Sequence, residues 1–118
     1  MLDSEILADK IVNILDEHKA EHIVKIDVRR IENCFCQFFV ICNGTSSTHV
    51  SALAYSLKDE IIDTLDEKPD HVEGINESQW VILDYGDVVV HIFQKEVRDY
   101  YQLEDFWADG IITEIESE

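Results

Sequence analysis

The sequence has few basic residues. Nine Lys and Arg stand against 26 Asp and Glu among 118 residues, so the formal net charge is −17. Proteins that bind the phosphate backbone of nucleic acids do so with Lys and Arg, which displace counterions. The charge therefore argues against nucleic-acid binding and against docking on an anionic membrane. It favours a basic protein as the partner.

Long apolar runs and flexible segments are also scarce. No run approaches the roughly 18 apolar residues of a membrane span, and the acidic start, Met1 to Glu5, lacks the features of a secretory signal. One proline and four glycines leave no room for a flexible linker. We expect a cytoplasmic protein with one domain over residues 1–107 and an acidic C-terminal tail over residues 108–118.

The three cysteines do not form a recognisable metal or disulfide pattern. An odd number of cysteines favours free thiols, and the C-x-C and C-x5-C spacings of Cys34, Cys36 and Cys42 differ from the paired C-x2-C of zinc sites. His18 and His22 lie one helical turn apart, but the Glu that zinc proteases place beside the first His is absent. We predict no metal site and no cofactor.

Hydrophobic periodicity predicts three helices and five strands. The helices are expected over Ser4–Lys19, Thr48–Leu65 and Lys95–Tyr101. The strands are expected over Ile23–Ile31, Gln37–Cys42, His71–Glu73, Trp80–Leu83 and Val88–Phe93. This order predicts an α/β (α+β) fold in which helices flank a mixed five-stranded sheet. Gln37–Cys42 is apolar on both faces, which is typical of a central strand.

The segment Asn43–Ser47 lies between a predicted strand and a predicted helix, where backbone N–H groups could bind an anion. It contains one glycine and no phosphate-loop motif, so a capped helix start is the favoured interpretation. The chain also lacks the G-x-S-x-G motif of serine hydrolases. The sequence therefore gives little support to phosphate binding or nucleophilic catalysis.

The hairpin that follows is chemically richer. Trp80, Asp84, Tyr85, Asp87 and His91 occur within twelve residues. Aromatic residues combined with charged ones are typical of a protein interface. A Trp80 that fills the edge of the core and a Tyr85 that belongs to the turn explain the pattern equally well, so both interpretations stay open.

The whole hairpin, Trp80–Phe93, resembles the signature of the ribosomal silencing factor (Iojap-related) family. Three further segments resemble that family's first strand, its second strand with the start of the next helix, and its closing motif: Ile26–Arg29, Phe39–Val50 and Arg98–Trp107. The resemblance runs in order from about Leu7 to Trp107. It has one departure, because Gln37-Phe38 stands where many members carry an Asp-Tyr pair.

The resemblance implies a fold and a function. Members of this family bind the large ribosomal subunit through ribosomal protein L fourteen and sterically block its association with the small subunit. They thereby repress translation when nutrients are limiting. Their fold is similar to that of nucleotidyltransferases, but they are not known for catalysis, so we expect no enzyme. An acidic factor would be steered towards a basic ribosomal protein and repelled by rRNA phosphate.

The resemblance also implies which residues contact the partner. Trp80 would be the apolar anchor, and Asp84 and Asp87 would receive basic side chains, with Tyr85 and His91 in the same cluster. Two residues of the closing motif are further candidates that would either contact the partner or brace the sheet: Arg98 and Tyr101. A homodimer is expected to be possible when the partner is absent.

Two alternatives come from other function classes. The chain could be an acidic adaptor for a different basic protein. It could also be a nucleotidyltransferase, which needs two carboxylates spaced D-x-D to hold magnesium after a Gly-Ser turn. After Gly44 the first acids are the adjacent Asp59 and Glu60, so the feature that would support an enzyme is missing.

Overall fold

The computed structural model describes residues 3–32, 34, 36–102, 105 and 109–115. Its helices are α1 (Ser4–Glu17), α2 (Ser47–Leu65) and α3 (Lys95–Tyr101). Its strands are β1 (Glu21–Asp27), β2 (Phe38–Gly44), β3 (His71–Glu73), β4 (Trp80–Asp84), β5 (Val88–Gln94) and β6 (Ile111–Glu114). No helix among the described residues is long and apolar enough to cross a membrane. Phe106 and Trp107 of the closing motif lie outside the described residues.

The strands form one mixed sheet in the order β3-β4-β5-β2-β1-β6. β2 and β5 pair in parallel, and the other neighbours pair antiparallel. Every residue of β2 is buried, and all residues of β5 except the last are buried. The prediction that Gln37–Cys42 contributes a central strand is therefore confirmed, because an apolar pattern without alternation suits a strand covered on both faces.

The helices α1 and α2 cover one face of the sheet, which we call the helix-pair face. Each carries an apolar stripe at helical spacing, with Leu7 and Ile11 buried on α1 and Leu53 and Leu57 buried on α2. The Asp3 carboxylate caps α1 by accepting from the Glu5 N–H at 2.8 Å. Such a cap stabilises a helix by about 1 kcal/mol. The start of α1 is thus encoded locally.

The opposite face, which we call the α3 face, carries a second apolar cluster. Val24 and Ile26 of β1, Phe39 of β2 and Phe93 of β5 are buried there, and Val97 of α3 packs against them. Residues of β4 and β5 alternate between the two faces, as the period of a strand requires. The sheet is therefore the middle layer of the domain.

The prediction of five strands is wrong, because Ile111–Glu114 forms a sixth. It lies within residues 108–118, which the acid content indicated as a tail. The run Ile-Ile-Thr is β-branched and suits a strand, and it pairs antiparallel with β1. β1 also ends earlier than predicted, at Asp27, whose Oδ1 accepts from the Arg29 N–H at 3.0 Å and turns the chain.

Two glycines shape the approach to β4 and the hairpin between β4 and β5. Gly74 has φ +83°, and a Cβ at this position would lie 2.0 Å from the Trp80 carbonyl oxygen. Gly86, in the turn between β4 and β5, has φ +88°, and the nearest atom to its Cβ position is Asp70 Oδ2 at 3.6 Å. Both glycines have a left-handed backbone conformation that favours glycine. Of the two, only Gly74 also lies so close to another backbone atom that a Cβ would clash.

This difference predicts two unequal effects of alanine on the free energy of unfolding. Gly86→Ala should cost about 1–2 kcal/mol, the strain of a left-handed alanine. Gly74→Ala should cost about 3 kcal/mol or more, because the strain is joined by a clash that must move the start of β4. Urea denaturation of both variants measures the two costs. Equal costs would contradict the close approach of Gly74 to Trp80.

Candidate functional site

An aromatic cluster occupies the end of the α3 face where β4 begins. The Trp80 ring stacks on Phe93, with 4.9 Å between ring centroids, and its centroid lies 4.9 Å from that of Tyr101. Phe93 is fully buried, Trp80 is partly buried and Tyr101 is 47% exposed. Trp80 thus joins the core to the surface, which agrees with a residue at the edge of the core, and its contact with a partner stays a prediction.

His91 fixes the orientation of the Trp80 indole. The Trp80 Nε1–H donates to His91 Nδ1 at 3.0 Å, and His91 itself is 7% exposed. Burial lowers the pKa of His91 to about 4. The ring is therefore neutral at pH 7 and carries its proton on Nε2, which is buried without a hydrogen-bond partner among the described residues. His91 acts as a positioning residue beneath the surface.

The acidic residues lie at the other end of β4. Asp84 and Asp87 flank the turn, where Asp84 Oδ1 accepts from the Gly86 N–H at 2.8 Å. Asp87 is exposed. Trp80 and Asp84 share a face and are four residues apart, which separates their Cα atoms by roughly 13 Å. The predicted cluster is therefore elongated. We call it the strip: Trp80 and Tyr101 form its aromatic end, and Asp84 and Asp87 form its acidic end.

Tyr85 does not join this strip, which corrects the prediction that it shares a cluster with Trp80. The alternation that places Trp80 and Asp84 on the α3 face directs Leu83 and Tyr85 to the helix-pair face, and Tyr85 packs against the core there. Burial raises the pKa of the Tyr85 phenol. Its hydroxyl is buried without a partner among the described residues.

Of the two closing-motif residues, Arg98 braces the sheet and Tyr101 lies at the surface. The Arg98 side chain is buried, and its Nη1 donates to the His22 carbonyl at 2.6 Å and to Asn43 Oδ1 at 2.9 Å. These bonds connect α3 to the ends of β1 and β2. Tyr101 contacts Trp80 and also meets the exposed Tyr100 edge to face, with 5.1 Å between centroids.

Two residues that the sequence analysis missed complete the strip. Ile82 lies between Trp80 and Asp84 on the α3 face and is partly buried. Glu73 of β3 is directly opposite Ile82 in the strand register and is exposed. Directly opposite residues point to the same face, so an acid borders the apolar centre. The alternation of β4 could have identified Ile82.

The departure at Gln37-Phe38 lies away from the strip. Phe38 is fully buried in the core on the helix-pair face, and the Arg29 guanidinium lies 4.8 Å from its ring centroid. The Gln37 side chain accepts a hydrogen bond from Ser4 at the start of α1. The charge and the hydroxyl of the usual Asp-Tyr pair are therefore absent from the helix-pair side of the sheet, opposite Trp80.

The loop after β2 has the geometry of a capped helix start. The Ser46 Oγ accepts from the His49 N–H at 3.1 Å, and the Thr45 N–H donates to His49 Nδ1 at 2.9 Å. These amides are therefore already bonded within the loop. Gly44 packs closely on α2, since a Cβ there would lie 3.0 Å from Val50. Close packing of the strand end on α2 explains this glycine without a ligand.

No metal centre or cofactor site is assigned. Within the described ranges, no three His, Cys, Asp or Glu side chains are grouped to hold a metal ion. Cys36 and Cys42 are buried free thiols, and burial raises the pKa of each to about 12. A cleft of about 430 Å³ lies beside α3. Lys95 at its rim bonds Asp99 at 2.9 Å, so these two charges neutralise each other.

A family model described as "Ribosomal silencing factor during starvation" matches residues 2–118 of the chain. The chain belongs to the ribosomal silencing factor family. A ribosomal silencing factor from Halalkalibacterium halodurans is 39% identical over 105 residues, which cover 89% of this chain and 88% of that relative. One from Bacillus subtilis is 38% identical over 101 residues, which cover 86% and 84%.

Relatives from eukaryotes and solved structures agree with this membership. The mouse "Mitochondrial assembly of ribosomal large subunit protein 1" is 31% identical over 103 residues, which cover 85% of this chain and 44% of the mouse protein. A crystal structure of a Chromobacterium violaceum protein superposes with a TM-score of 0.85 at 28% identity, covering 91% of this chain and 88% of that one. A Bacillus halodurans structure gives 0.76 at 35% identity, covering 97% and 99%.

The burial of His91 predicts how stability depends on pH. The unfolded chain binds a proton at His91 below its ordinary pKa of 6.5, whereas the folded chain does so only below about 4. The free energy of unfolding should therefore fall as the pH drops from 6.5 towards 4, by at most roughly 3 kcal/mol from this residue. Urea denaturation at pH 7 and pH 4.5 measures the change.

The matched control for this prediction is His91→Gln, which keeps a hydrogen-bond acceptor for Trp80 but cannot titrate. Carboxylates contribute to the pH dependence of both proteins, so the difference between wild type and variant isolates His91. The wild type should lose more stability than the variant. An NMR titration in which the His91 ring protonates near pH 6.5 would refute the neutral, buried histidine.

Proposed function

We propose that this member of the ribosomal silencing factor family binds the large ribosomal subunit through the basic ribosomal protein L fourteen and blocks association with the small subunit. By this block it would repress translation when nutrients are limiting, and it would act in the cytoplasm without catalysis. The observation that carries the proposal is the strip, in which partly buried Trp80 of β4 and exposed Tyr101 of α3 form the aromatic end and Asp84 belongs to the acidic end.

The strip has the composition expected of a site for a basic protein. Trp80, Ile82 and Tyr101 supply an apolar centre, which at an interface contributes most of the binding free energy. Asp84 and Glu73 border that centre on the same face, since Glu73 is opposite Ile82 and His71 is opposite Asp84. Carboxylates at such a border favour Lys and Arg of a partner and disfavour acidic surfaces.

The net charge supports a protein contact on the ribosome over an RNA contact. With −17 overall, the chain is repelled by rRNA phosphate and attracted by a basic ribosomal protein. Affinity for RNA would require the opposite balance of side chains. The relative named for assembly of the ribosomal large subunit supports the choice of subunit.

A steric block requires no chemistry beyond binding. The domain measures 35 × 33 × 29 Å along its principal axes. A bound domain would therefore project from the subunit by some 30 Å, whereas atoms in contact approach to about 4 Å. Any surface that such a domain covers cannot also contact the small subunit. Binding on the subunit interface would thus be sufficient for repression.

The rival functions have weaker support. An acidic adaptor would use the same strip on another basic protein, and binding to purified large subunits separates the two proposals. The nucleotidyltransferase-like topology remains a prediction from the resemblance, and the loop at Thr45 and Ser46 bonds its own amides. Turnover of labelled nucleoside triphosphates with Mg²⁺ above background would overturn the proposal that the chain is not an enzyme.

Removal of the exposed tyrosine should weaken binding to the large subunit. Tyr101→Ala deletes an aromatic ring that contacts Trp80 but is 47% exposed, so the fold should tolerate the change. We expect the Kd to rise about tenfold, and Trp80→Ala to raise it further. Co-sedimentation with purified large subunits measures the Kd, and sucrose gradients with added small subunits measure the block.

The matched control is Tyr55→Ala, which removes a tyrosine that is 52% exposed on α2, across the sheet from the strip. It should bind like the wild type. Circular dichroism and urea denaturation identify any variant that loses its fold, which matters most for Trp80→Ala. Equal pelleting of all four proteins would exclude the strip as the docking site, and normal subunit joining with the wild type in excess would exclude the block.

Electrostatic steering predicts that the association rate depends on salt. Exposed charges are screened beyond about 10 Å at 0.1 M salt, so the rate should fall as the salt concentration rises. Asp87→Lys at the acidic end of the strip should slow association more than Asp63→Lys on α2, although both residues are exposed and change the net charge equally. Stopped-flow mixing measures both. A rate that salt does not change would contradict steering.

A further inference from the structure

The strand β6 forms one edge of the sheet. It pairs with β1, with Ile112 opposite Ile26 and Glu114 opposite Val24, and it is the last strand in the sheet order. No strand among the described residues pairs with its outer side. All four of its residues are exposed. An edge of this kind presents unpaired backbone groups to which another chain can add a strand.

The backbone groups that face outward can be identified. The Ile115 N–H donates to the Ile23 carbonyl at 2.9 Å, so residue 115 points its polar backbone groups towards β1. In an antiparallel pair this direction alternates along the strand. Residues 113 and 111 therefore also bond β1, whereas Ile112 and Glu114 point their N–H and C=O groups away from the sheet.

The side chains of β6 suit the addition of a strand. Ile111 and Ile112 are 50% and 42% exposed, and Thr113 is β-branched as well. Natural edge strands are commonly protected by proline, by lysine or by being very short. β6 is also short, with four residues, but it contains neither proline nor lysine. Two exposed isoleucines at an open edge are thus left without a structural explanation.

The other edge of the same sheet is protected, which makes the contrast informative. β3 has three residues, and two of them, His71 and Glu73, are polar and exposed. Pro69 and Asp70 precede it, and a proline beside a short polar strand disfavours further pairing. The sheet therefore limits strand addition at β3 and permits it at β6.

We propose that β6 is extended by a strand from the basic ribosomal protein on which this chain docks, an inference that rests on the proposed function. The added strand carries a Lys or Arg opposite Glu114 and an apolar residue opposite Ile112, because directly opposite side chains lie on the same face and interact. Glu114 is exposed and makes no ion pair with another described residue.

Charge and position favour this occupant over a second copy of the chain. Two copies would each bring a net charge of −17 to the contact. Two four-residue strands would also bury far less than the roughly 1,200 Å² of a stable interface. Ile112 lies on the α3 face like the strip, and the strand register aligns it through Ile26, Phe39 and Val89 with Asp84, about 19 Å away across four strand spacings. One partner could therefore contact the strip and add a strand at β6.

The experiment compares Ile112→Pro with Ile112→Ala in binding to purified ribosomal protein L fourteen. Proline removes an outward N–H that β1 does not use, whereas alanine removes the side chain and keeps that N–H. We expect the Kd to rise about tenfold for Ile112→Pro and less than threefold for Ile112→Ala. Urea denaturation shows whether both variants keep the fold.

A second measurement needs no variant. In hydrogen exchange of the wild type, the amides of Ile112 and Glu114 should exchange quickly in the free protein and slowly in the complex. The amide of Ile115, which bonds β1, should be protected in both states. This measurement decides the proposal even where Ile112→Pro disturbs β6.

The outcomes separate this inference from the proposed function. Wild type that does not bind ribosomal protein L fourteen overturns both. Binding that Trp80→Ala weakens, without protection of Ile112 and Glu114, overturns the strand addition and leaves the proposed function standing. Protection that depends on the concentration of the free protein identifies a second copy as the occupant and also overturns the inference.

Discussion

The parallel pairing of β2 with β5 lies at the centre of the sheet, and both strands are buried on both faces. A shift of either strand by one residue would exchange its large and small side chains between two close-packed layers, and this mismatch in packing favours the observed register. β4 then pairs with β5, so the directions of Trp80, Ile82 and Asp84 follow from the core. The candidate binding strip is therefore a consequence of a buried interaction some distance away.

His91 lowers the stability of this arrangement. A neutral imidazole with a buried, unbonded Nε2 is less favourable on an apolar face than a leucine would be. Its Nδ1 accepts from the Trp80 indole, and a leucine could not do this. Without an acceptor the buried indole N–H would itself be unsatisfied, or the ring would rotate. A polar residue that weakens the core while holding one ring in place is typical of a functional surface.

Local sequence patterns predicted the elements of this fold well and the site only in part. The stripes of α1 and α2, the apolar run of β2 and the turn at Gly86 are each determined within a few residues. Tyr85 was misplaced because neighbours in sequence were taken as neighbours in space, whereas a strand separates them onto opposite faces. β6 was missed because its acidic surroundings hid three β-branched residues. The role of Arg98 depends on His22 and Asn43, which are 76 and 55 residues away, and no local pattern contains that contact.

The charge and the aromatic strip have different tasks in the proposed function, and their ranges explain why both are needed. At physiological salt the field of exposed carboxylates extends about 8 Å. It therefore acts during approach, when it attracts a basic partner and repels rRNA phosphate. It adds little once the surfaces touch, because exposed ion pairs contribute roughly 0–1 kcal/mol each. Affinity must then come from apolar burial, which is short-ranged and does not distinguish one protein from another. On such a surface the acidic residues select the partner, and the aromatic strip determines the affinity. A change in surface charge should therefore alter the affinity little, and a change in the aromatic residues should alter the choice of partner little.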